Sequence, residues 1–201
     1  MGRKIKSVSD LEEAEQALQQ IKPLFENWPS VRWNKCLYLF QFAKQATGPI
    51  VELGCYDGNG TLALALGSQA GNNVPVYAID KFERFTGLYQ QQFYPEDEQR
   101  LNDNLRIMRL EDNVTIIKGD SETVAEIWPG DSINLLMWDI SLPRLYEDWL
   151  CWYKYVNGLF LAKDTTTYDF GWQKVYKDAI ERGWRGGPML PEACLWGVRN
   201  D

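Results

Sequence analysis

The sequence predicts an α/β fold in which helices cover both faces of a parallel sheet. Five strand-length segments between residues 49 and 164 are apolar almost without interruption, and helix-length segments separate them. Strands without polar alternation are typical of sheets that are buried on both faces. A glycine-rich turn follows the first strand directly, which is typical of sheets that bind ligands at their strand ends.

Two helices are predicted before the sheet, the first with Ser9 or Asp10 as its N-cap. We expect residues 1–48 to form an N-terminal helical cap on the sheet domain of residues 49–201, within one globular unit. The residues that set the helical period are Leu11, Ala14, Leu18 and Ile21 in the first helix, and Trp33, Leu37, Phe40 and either Ala43 or Lys44 in the second.

From Pro49 onward, strands and helices alternate. The predicted strands are "PIVELGC", "VPVYAID", "NVTIIKG", "INLLMWD" and "GLFLAKD", with "EACLWGVRN" as a last strand. The predicted helices are "GTLALALGSQA", "DEQRLNDNLRIMRLE", "SETVAEIW", "RLYEDWLCWYKYV" and "FGWQKVYKDAIERG".

Composition excludes several classes of function. A net charge of −7 disfavours binding to a phosphate backbone, so nucleic acid is not an expected partner. No apolar run reaches the roughly 18–20 residues of a membrane span. The cysteines Cys36, Cys55, Cys151 and Cys194 lie far apart without a CxxC pair, which indicates reduced thiols and a cytoplasmic location.

Histidine is absent from the sequence. Acid–base chemistry must therefore use carboxylates, lysine, tyrosine or thiol, and any metal must be a hard ion with oxygen ligands.

Acidic residues stand at or just after the ends of four of the five predicted strands: Asp80, Asp120, Asp139 and Asp164. The carboxyl ends of parallel strands meet at one edge of a sheet, where ligands bind. Aspartate also caps turns and helices, and capping remains an alternative for each residue singly. Capping explains less well why all four gather at one edge.

The turn after the first strand reads "IVELGCYDGNGTL". Gly54 and Gly58 let the backbone approach a ligand, and Gly60 lets the next helix begin close to the strand. The free N–H groups of that helix attract anions. A tight turn without a ligand is the alternative.

Two cofactor patterns overlap in this turn. Gly58-x-Gly60-x-x-Ala63, with Asp80 downstream, matches the relaxed dinucleotide pattern, which would make the protein an NAD(P)-dependent oxidoreductase. That pattern begins four residues past the predicted strand end. The other pattern, Glu52-x-Gly54-x-x-x-Gly58-x-x-Thr61, begins at the strand end itself.

The second pattern resembles the first motif of class I S-adenosylmethionine-dependent methyltransferases, and the resemblance extends from Ile50 to about Arg199. It is nearest to small-molecule O-methyltransferases of the catechol and caffeoyl type and to a related bacterial natural-product group. It implies a Rossmann-like, doubly wound, mostly parallel sheet of seven strands, with an antiparallel last strand inserted between its neighbours.

The resemblance also implies site residues. Asp80 would bind the ribose hydroxyls, and Asp139 would lie near the methionine end of the cofactor and the substrate. The implied cofactor-binding set is Glu52, Gly54, Cys55, Tyr56, Gly58, Asp80, Lys81, Gly119, Asp120, Ser121 and Asp139, with the residues from Gly119 to Ser121 beside the adenine.

Asp139, Lys163 and Asp164 are the candidate catalytic residues. In metal-dependent relatives, Asp139, Asp164 and the next residue would hold Mg²⁺. Here that residue is Thr165, and the neighbouring Lys163 ammonium would compete with a divalent ion, so metal use stays open. Lys163 either reaches solvent or, if it is buried beside Asp164, acts as a base.

The segment 81–98 is long for a loop and rich in aromatic residues, which favours a lid. The alternative is that its aromatic residues cover the sheet edge or form a dimer contact. The aromatic residues that could line an apolar substrate pocket are Phe82, Phe85, Tyr89, Phe93, Tyr94, Trp28, Trp33, Tyr168 and Trp172.

The function expected from all of this is methyl transfer from S-adenosylmethionine to an oxygen of a small molecule. The alternatives are the oxidoreductase and a degenerate member that binds a cofactor or partner without transferring a methyl group. Neither nucleic acid nor membrane is an expected partner, and a homodimer remains open.

Overall fold

The computed structural model describes residues 8–25, 30–86, 90–93, 95–130, 132–140, 145–162, 170–188 and 195–199. Parallel strands form the centre of its sheet, which confirms the predicted parallel α/β architecture. These strands are β1 (Ile50–Leu53), β2 (Val76–Asp80), β5 (Val114–Lys118), β6 (Ile133–Trp138) and β7 (Val156–Ala162).

Further strands complete the sheet and form a separate hairpin: β3 (Glu83–Thr86), β4 (Gln90–Phe93), β8 (Trp184–Pro188) and β9 (Leu195–Arg199). Within the described residues the sheet has seven strands in the order β5-β2-β1-β6-β7-β9-β8. The strand β9 lies between β7 and β8 and is antiparallel to both. The hairpin pairs β3 with β4.

Helices cover both faces of the sheet. They are α1 (Val8–Leu18), α2 (Ser30–Lys44), α3 (Asn59–Ala70), α4 (Pro95–Met108), α5 (Ser121–Glu126), α6 (Leu145–Trp152) and α7 (Phe170–Glu181). Side chains of α1 to α4 pack in the hydrophobic cluster on one face, and those of α5 to α7 pack in the cluster on the other. Successive residues of a strand point to opposite faces, so Ile50 and Val51 enter different clusters. No helix in the described part of the chain combines the length and apolarity that a membrane span requires.

The N-terminal helices differ from the prediction in two details. The helix α1 begins at Val8, so Ser9 and Asp10 lie in its first turn and neither is the N-cap. The helix α2 fully buries Cys36 and Phe40, whereas Trp33 is only partly buried. The buried stripe is rotated from the predicted one because α2 packs against both α1 and α3.

The expectation of an unstructured insertion at residues 81–98 is wrong where the chain is described. The hairpin of β3 and β4 occupies its centre, and α4 begins at Pro95, a residue favoured in the first turn of a helix. Phe82 is buried in the hydrophobic core. Trp28, Tyr89, Tyr94 and Tyr168 lie outside the described residues, and the side chains of Phe85, Phe93 and Trp172 are not described either.

Candidate functional site

The candidate site begins where β1 ends. Gly54 follows β1 directly with a φ of +85°, in the left-handed region that favours glycine. A Cβ at Gly54 would overlap the backbone carbonyl of Asp139, the residue after β6. The N–H of Gly54 donates to the carbonyl of Ile79 at 2.8 Å, so β2 ends at the same place. The ends of three neighbouring strands therefore meet around this turn.

Glu52 is the buried acid of this turn, with 1% of its surface exposed. The hydroxyl of Thr61 donates to its Oε2 at 2.5 Å. A Cβ at Gly60 would overlap its Oε1, so glycine leaves the space that the carboxylate fills. Burial raises the pKa of Glu52 to about 7, against the opposing effects of the Lys35 ammonium and the Thr61 hydroxyl. This carboxyl group titrates near neutral pH.

Asp80, the last residue of β2, accepts hydrogen bonds from the backbone of two turns. Its Oδ2 accepts the backbone N–H of Tyr56 at 2.8 Å, and its Oδ1 accepts that of Phe82 at 2.7 Å. Tyr56 and Phe82 both have a positive φ, near +57°, which is uncommon for residues with a side chain. Burial raises the pKa of Asp80, and the two N–H groups oppose that rise. The backbone N–H of Lys81 also donates to this carboxylate, which has about four lone-pair sites and can still accept from a further donor.

The residues predicted beside the adenine lie next to Asp80. The N–H of Gly119 donates to the Asp80 carbonyl at 2.9 Å. Asp120 accepts the N–H of Glu122 as the N-cap of α5 and forms an ion pair with Lys81. Although burial alone would raise the pKa of Asp120, the Lys81 ammonium lowers it. The capping alternative therefore accounts for part of what Asp120 does.

Ser121 begins α5 and is buried. Its hydroxyl accepts the indole N–H of Trp152 at 2.8 Å, which ties the end of β5 to the helices on that face of the sheet. Cys55 is also buried, and burial raises the pKa of its thiol, so the thiol is protonated at neutral pH. The neighbouring Tyr56 is 38% exposed at the rim.

Asp139 is paired with a residue that the motifs do not predict. The Lys35 Nζ lies 2.7 Å from the Asp139 Oδ2, and only 11% and 13% of these side chains are exposed. Burial alone would lower the pKa of Lys35, but the carboxylates of Asp139 and Glu52 raise it. The sequence does carry a signal for this position, because Lys35 precedes the buried Leu39 and Ala43 at spacings of one and two helical turns.

The motifs also did not predict roles for Asp57 and Asn59, two polar residues of the turn. Asp57 is buried and accepts from the amide of Asn59 at 3.3 Å. The guanidinium of Arg100, in α4, lies 3.9 Å from the Asp57 carboxylate. The catalytic candidates Lys163 and Asp164 lie outside the described residues, together with Thr165, so their roles stay predictions.

Comparison with known proteins identifies a family to which this sequence is similar. A family model described as a methyltransferase domain matches residues 51–158, more than half of the chain. A search of curated protein sequences finds no significant match.

Methyltransferases are among the solved structures with the same fold. An O-methyltransferase from Bacillus cereus in complex with SAH is 18% identical with a TM-score of 0.60, covering 97% of this chain and 93% of that one. The O-methyltransferase TomG of Streptomyces achromogenes, involved in tomaymycin synthesis and solved with SAM, is 16% identical with a TM-score of 0.59, covering 97% and 92%. A methyltransferase from Geobacter sulfurreducens is 15% identical with a TM-score of 0.63, covering 98% and 90%.

The family match spans the turn after β1, the ends of β2 and β5, and the Asp139 position. It therefore covers the Gly54 turn and the acids around it, and the resemblance that the motifs predict is confirmed. The chain belongs to the S-adenosylmethionine-dependent methyltransferases.

Proposed function

We propose that this protein transfers the S-methyl group of S-adenosylmethionine to an oxygen atom of a small molecule. One observation carries the proposal: Glu52, Asp80 and Asp139 lie in or directly after the neighbouring strands β1, β2 and β6, around the Gly54 turn. An edge with several acids suits a cofactor that carries a sulfonium, an ammonium and a ribose diol. The strand order with β9 antiparallel between β7 and β8 is the topology that the resemblance implies, and it supports the proposal.

The proposed cofactor lies across the strand ends. The free oxygen lone pairs of Asp80 accept from the ribose hydroxyls, and the Gly119–Ser121 turn borders the adenine. The methionine end lies at the Gly54 turn, near Glu52 and Asp139. Cys55, Tyr56, Gly58 and Lys81 complete the contacts that we propose.

The proposed reaction is an in-line displacement. The C–S bond breaks with its electron pair remaining on sulfur, a C–O bond forms, and the acceptor hydroxyl gives its proton to a base. Asp139, Lys163 and Asp164 are the candidates for that base. The solved O-methyltransferases with this fold favour oxygen over other acceptor atoms.

Mg²⁺ does not fit the Asp139 carboxylate as the structure has it. The Lys35 ammonium lies where a cation would bind this carboxylate, and two cations on one carboxylate repel each other.

The oxidoreductase alternative is less well supported. The strand β1 ends at Leu53, so Gly54 is the first glycine after the strand, as the methyltransferase pattern requires. A dinucleotide turn would place Gly58 there. The degenerate member that binds cofactor without transfer is the alternative that activity assays address.

Four further expectations belong to the proposal. Residues 1–48 act as a helical cap on the domain of residues 49–201. The acceptor is a small molecule and not nucleic acid, because the net charge is −7. The protein works in the cytoplasm, with reduced thiols. A homodimer stays open, and its test is the molar mass in solution.

Titration calorimetry with S-adenosylhomocysteine tests the cofactor. We expect saturable binding at one site per chain and no heat from NAD⁺ or NADP⁺. A folded sample that binds no S-adenosylhomocysteine at millimolar ligand overturns the proposal. Mass spectrometry of an acceptor panel incubated with S-adenosylmethionine then separates the active enzyme from a degenerate member, which methylates nothing.

A further inference from the structure

The Lys35–Asp139 pair lies where two parts of the chain that are distant in sequence meet. The residues are 104 positions apart, with Lys35 on α2 and Asp139 directly after β6. Both side chains are nearly buried. A buried ion pair contributes little net stability, because desolvation offsets the attraction between the charges. Stability alone therefore does not explain why a lysine stands at this position.

Lys35 also lies beside the first turn of α3. The neighbouring Cys36 has its Sγ 3.5 Å from the carbonyl of Asn59, the first residue of α3. A Cβ at Gly60 would lie 3.5 Å from the Leu39 side chain, one turn along α2. This face of α2 thus borders both the Gly54 turn and the N–H groups that begin α3.

The identity of the ligand as S-adenosylmethionine rests on the proposed function. Its charges can be compared with those of the protein at this edge. The methionine end of S-adenosylmethionine carries two positive groups, the sulfonium and the α-ammonium, and one negative α-carboxylate. The protein offers the acids Glu52 and Asp139 and the cation Lys35, all within a short distance of one another. Without Lys35, the α-carboxylate would face the acids Glu52 and Asp139 and lose the cation that lies between them among the described residues.

We propose that the Lys35 ammonium binds the α-carboxylate of the cofactor's methionine moiety. Asp139 holds the ammonium in place, and the N–H groups at the start of α3 attract the same carboxylate. Lys35 thereby makes the site selective for the complete amino-acid end of the cofactor over ligands that lack the carboxylate. The helix α2 becomes part of the cofactor site.

The test compares S-adenosylmethionine with decarboxylated S-adenosylmethionine, which differ only in the α-carboxylate. Titration calorimetry gives the dissociation constants for the wild type and for Lys35→Met, which keeps most of the stem and removes the charge. We expect the preference for the carboxylated ligand to fall about tenfold or more in Lys35→Met, with the affinity for the decarboxylated ligand unchanged or higher. Lys44→Met is the matched control, because it removes another ion pair of α2, with Glu13, away from the site.

Two more variants address folding. Lys35→Met/Asp139→Asn removes the acid whose ion pair Lys35→Met alone would break, and it must also lose the preference. Lys35→Arg keeps the charge and must retain most of the preference. An unchanged preference in folded Lys35→Met, or in the double variant if the single one does not fold, overturns the inference while the proposed function stands. A wild type that binds neither ligand overturns the proposed function and the inference with it.

Discussion

The hydroxyl of Thr61 donates a hydrogen bond of 2.5 Å to the carboxylate of Glu52, nine residues earlier in the chain. Both residues are buried, one in the strand β1 and the other in the first turn of α3. The bond stabilises the charged form of Glu52 and opposes the rise of its pKa that burial causes. It also fastens α3 to the strand across the Gly54 turn.

Replacing Thr61 with valine is expected to destabilise the fold. Thr61→Val keeps the shape of the side chain but leaves one oxygen of a buried carboxylate without its hydroxyl donor. We expect the free energy of unfolding to fall by about 1–3 kcal/mol, measured by urea denaturation near neutral pH. Thr123→Val is the control, since Thr123 is exposed and its change should be close to zero. Equal stability of Thr61→Val and wild type contradicts the prediction.

Glu52 is expected to make stability depend on pH. Its pKa of about 7 in the fold lies above its ordinary value of 4.5, so the folded chain binds the proton more tightly. The stabilisation is present below the ordinary value and is lost as the pH rises through about 7. Relative to Glu52→Gln, the wild type should therefore lose up to about 3 kcal/mol across this interval.

Urea denaturation of both proteins between about pH 5 and 8 measures this difference. Lys35, Asp80 and Asp139 also act on Glu52, and subtracting one protein from the other removes their common contribution. Parallel stability curves for the two proteins would show that Glu52 does not titrate in this range.

Asp80→Asn tests the ribose contact. The variant keeps the shape but removes the charge and turns one acceptor oxygen into a donor. We expect S-adenosylhomocysteine to bind roughly ten- to a hundredfold more weakly, by calorimetry. Because Asp80 also accepts the N–H groups of Tyr56 and Phe82, we expect a loss of stability of about 1–3 kcal/mol as well.

Asp103→Asn serves as the control for that measurement. Asp103 is an exposed acid on α4 that pairs with Arg106, so this variant removes the same charge away from the site. Its affinity for S-adenosylhomocysteine should equal that of the wild type. If Asp80→Asn also binds like the wild type, Asp80 only fastens the two turns.

Two glycines with the same φ allow the cost of backbone strain to be measured apart from the cost of a steric clash. Gly54 and Gly130 both have a φ of +85°, but a Cβ at Gly130 would meet no atom of the described residues within 4 Å. Gly130→Ala should lose about 1–2 kcal/mol from the left-handed conformation alone. Gly54→Ala should lose about 1–3 kcal/mol more, because its Cβ overlaps the Asp139 carbonyl and must push β1 and β6 apart. Urea denaturation measures the free energy of unfolding of both variants. Equal losses would contradict the prediction, because they would mean that the ends of β1 and β6 move apart at little cost.

The central strands could be predicted because burial on both faces leaves an uninterrupted apolar run, and this signal does not depend on distant contacts. The hairpin was missed because β4 is mostly glutamine, a residue without strong β preference. The strand β8 contains two glycines and a proline, so its place in the sheet depends on pairing with β9.

The candidate site likewise contains residues that a local sequence pattern predicts and residues whose position depends on distant contacts. Glu52 and Gly54 follow a local pattern at the end of β1, Asp80 ends the next apolar strand, and all three are visible in sequence. Lys35 belongs to a different segment, and a lysine in a helix normally faces solvent. The helical spacing from Lys35 to Leu39 and Ala43 indicates that it is buried, but its pairing with Asp139 becomes clear only from the packing of α2 against α1 and α3.

The long sequence separation within the Lys35–Asp139 pair sets an order of events during protein synthesis. Lys35 leaves the ribosome before Asp139, and 104 residues separate the two. At about 5–20 residues per second, the lysine waits about 5–20 s for its partner. The nascent chain can form α2 and the Gly54 turn during that time, but not the complete site. Competence to bind the cofactor is therefore a late event in translation, and a chain released before β6 emerges remains inactive.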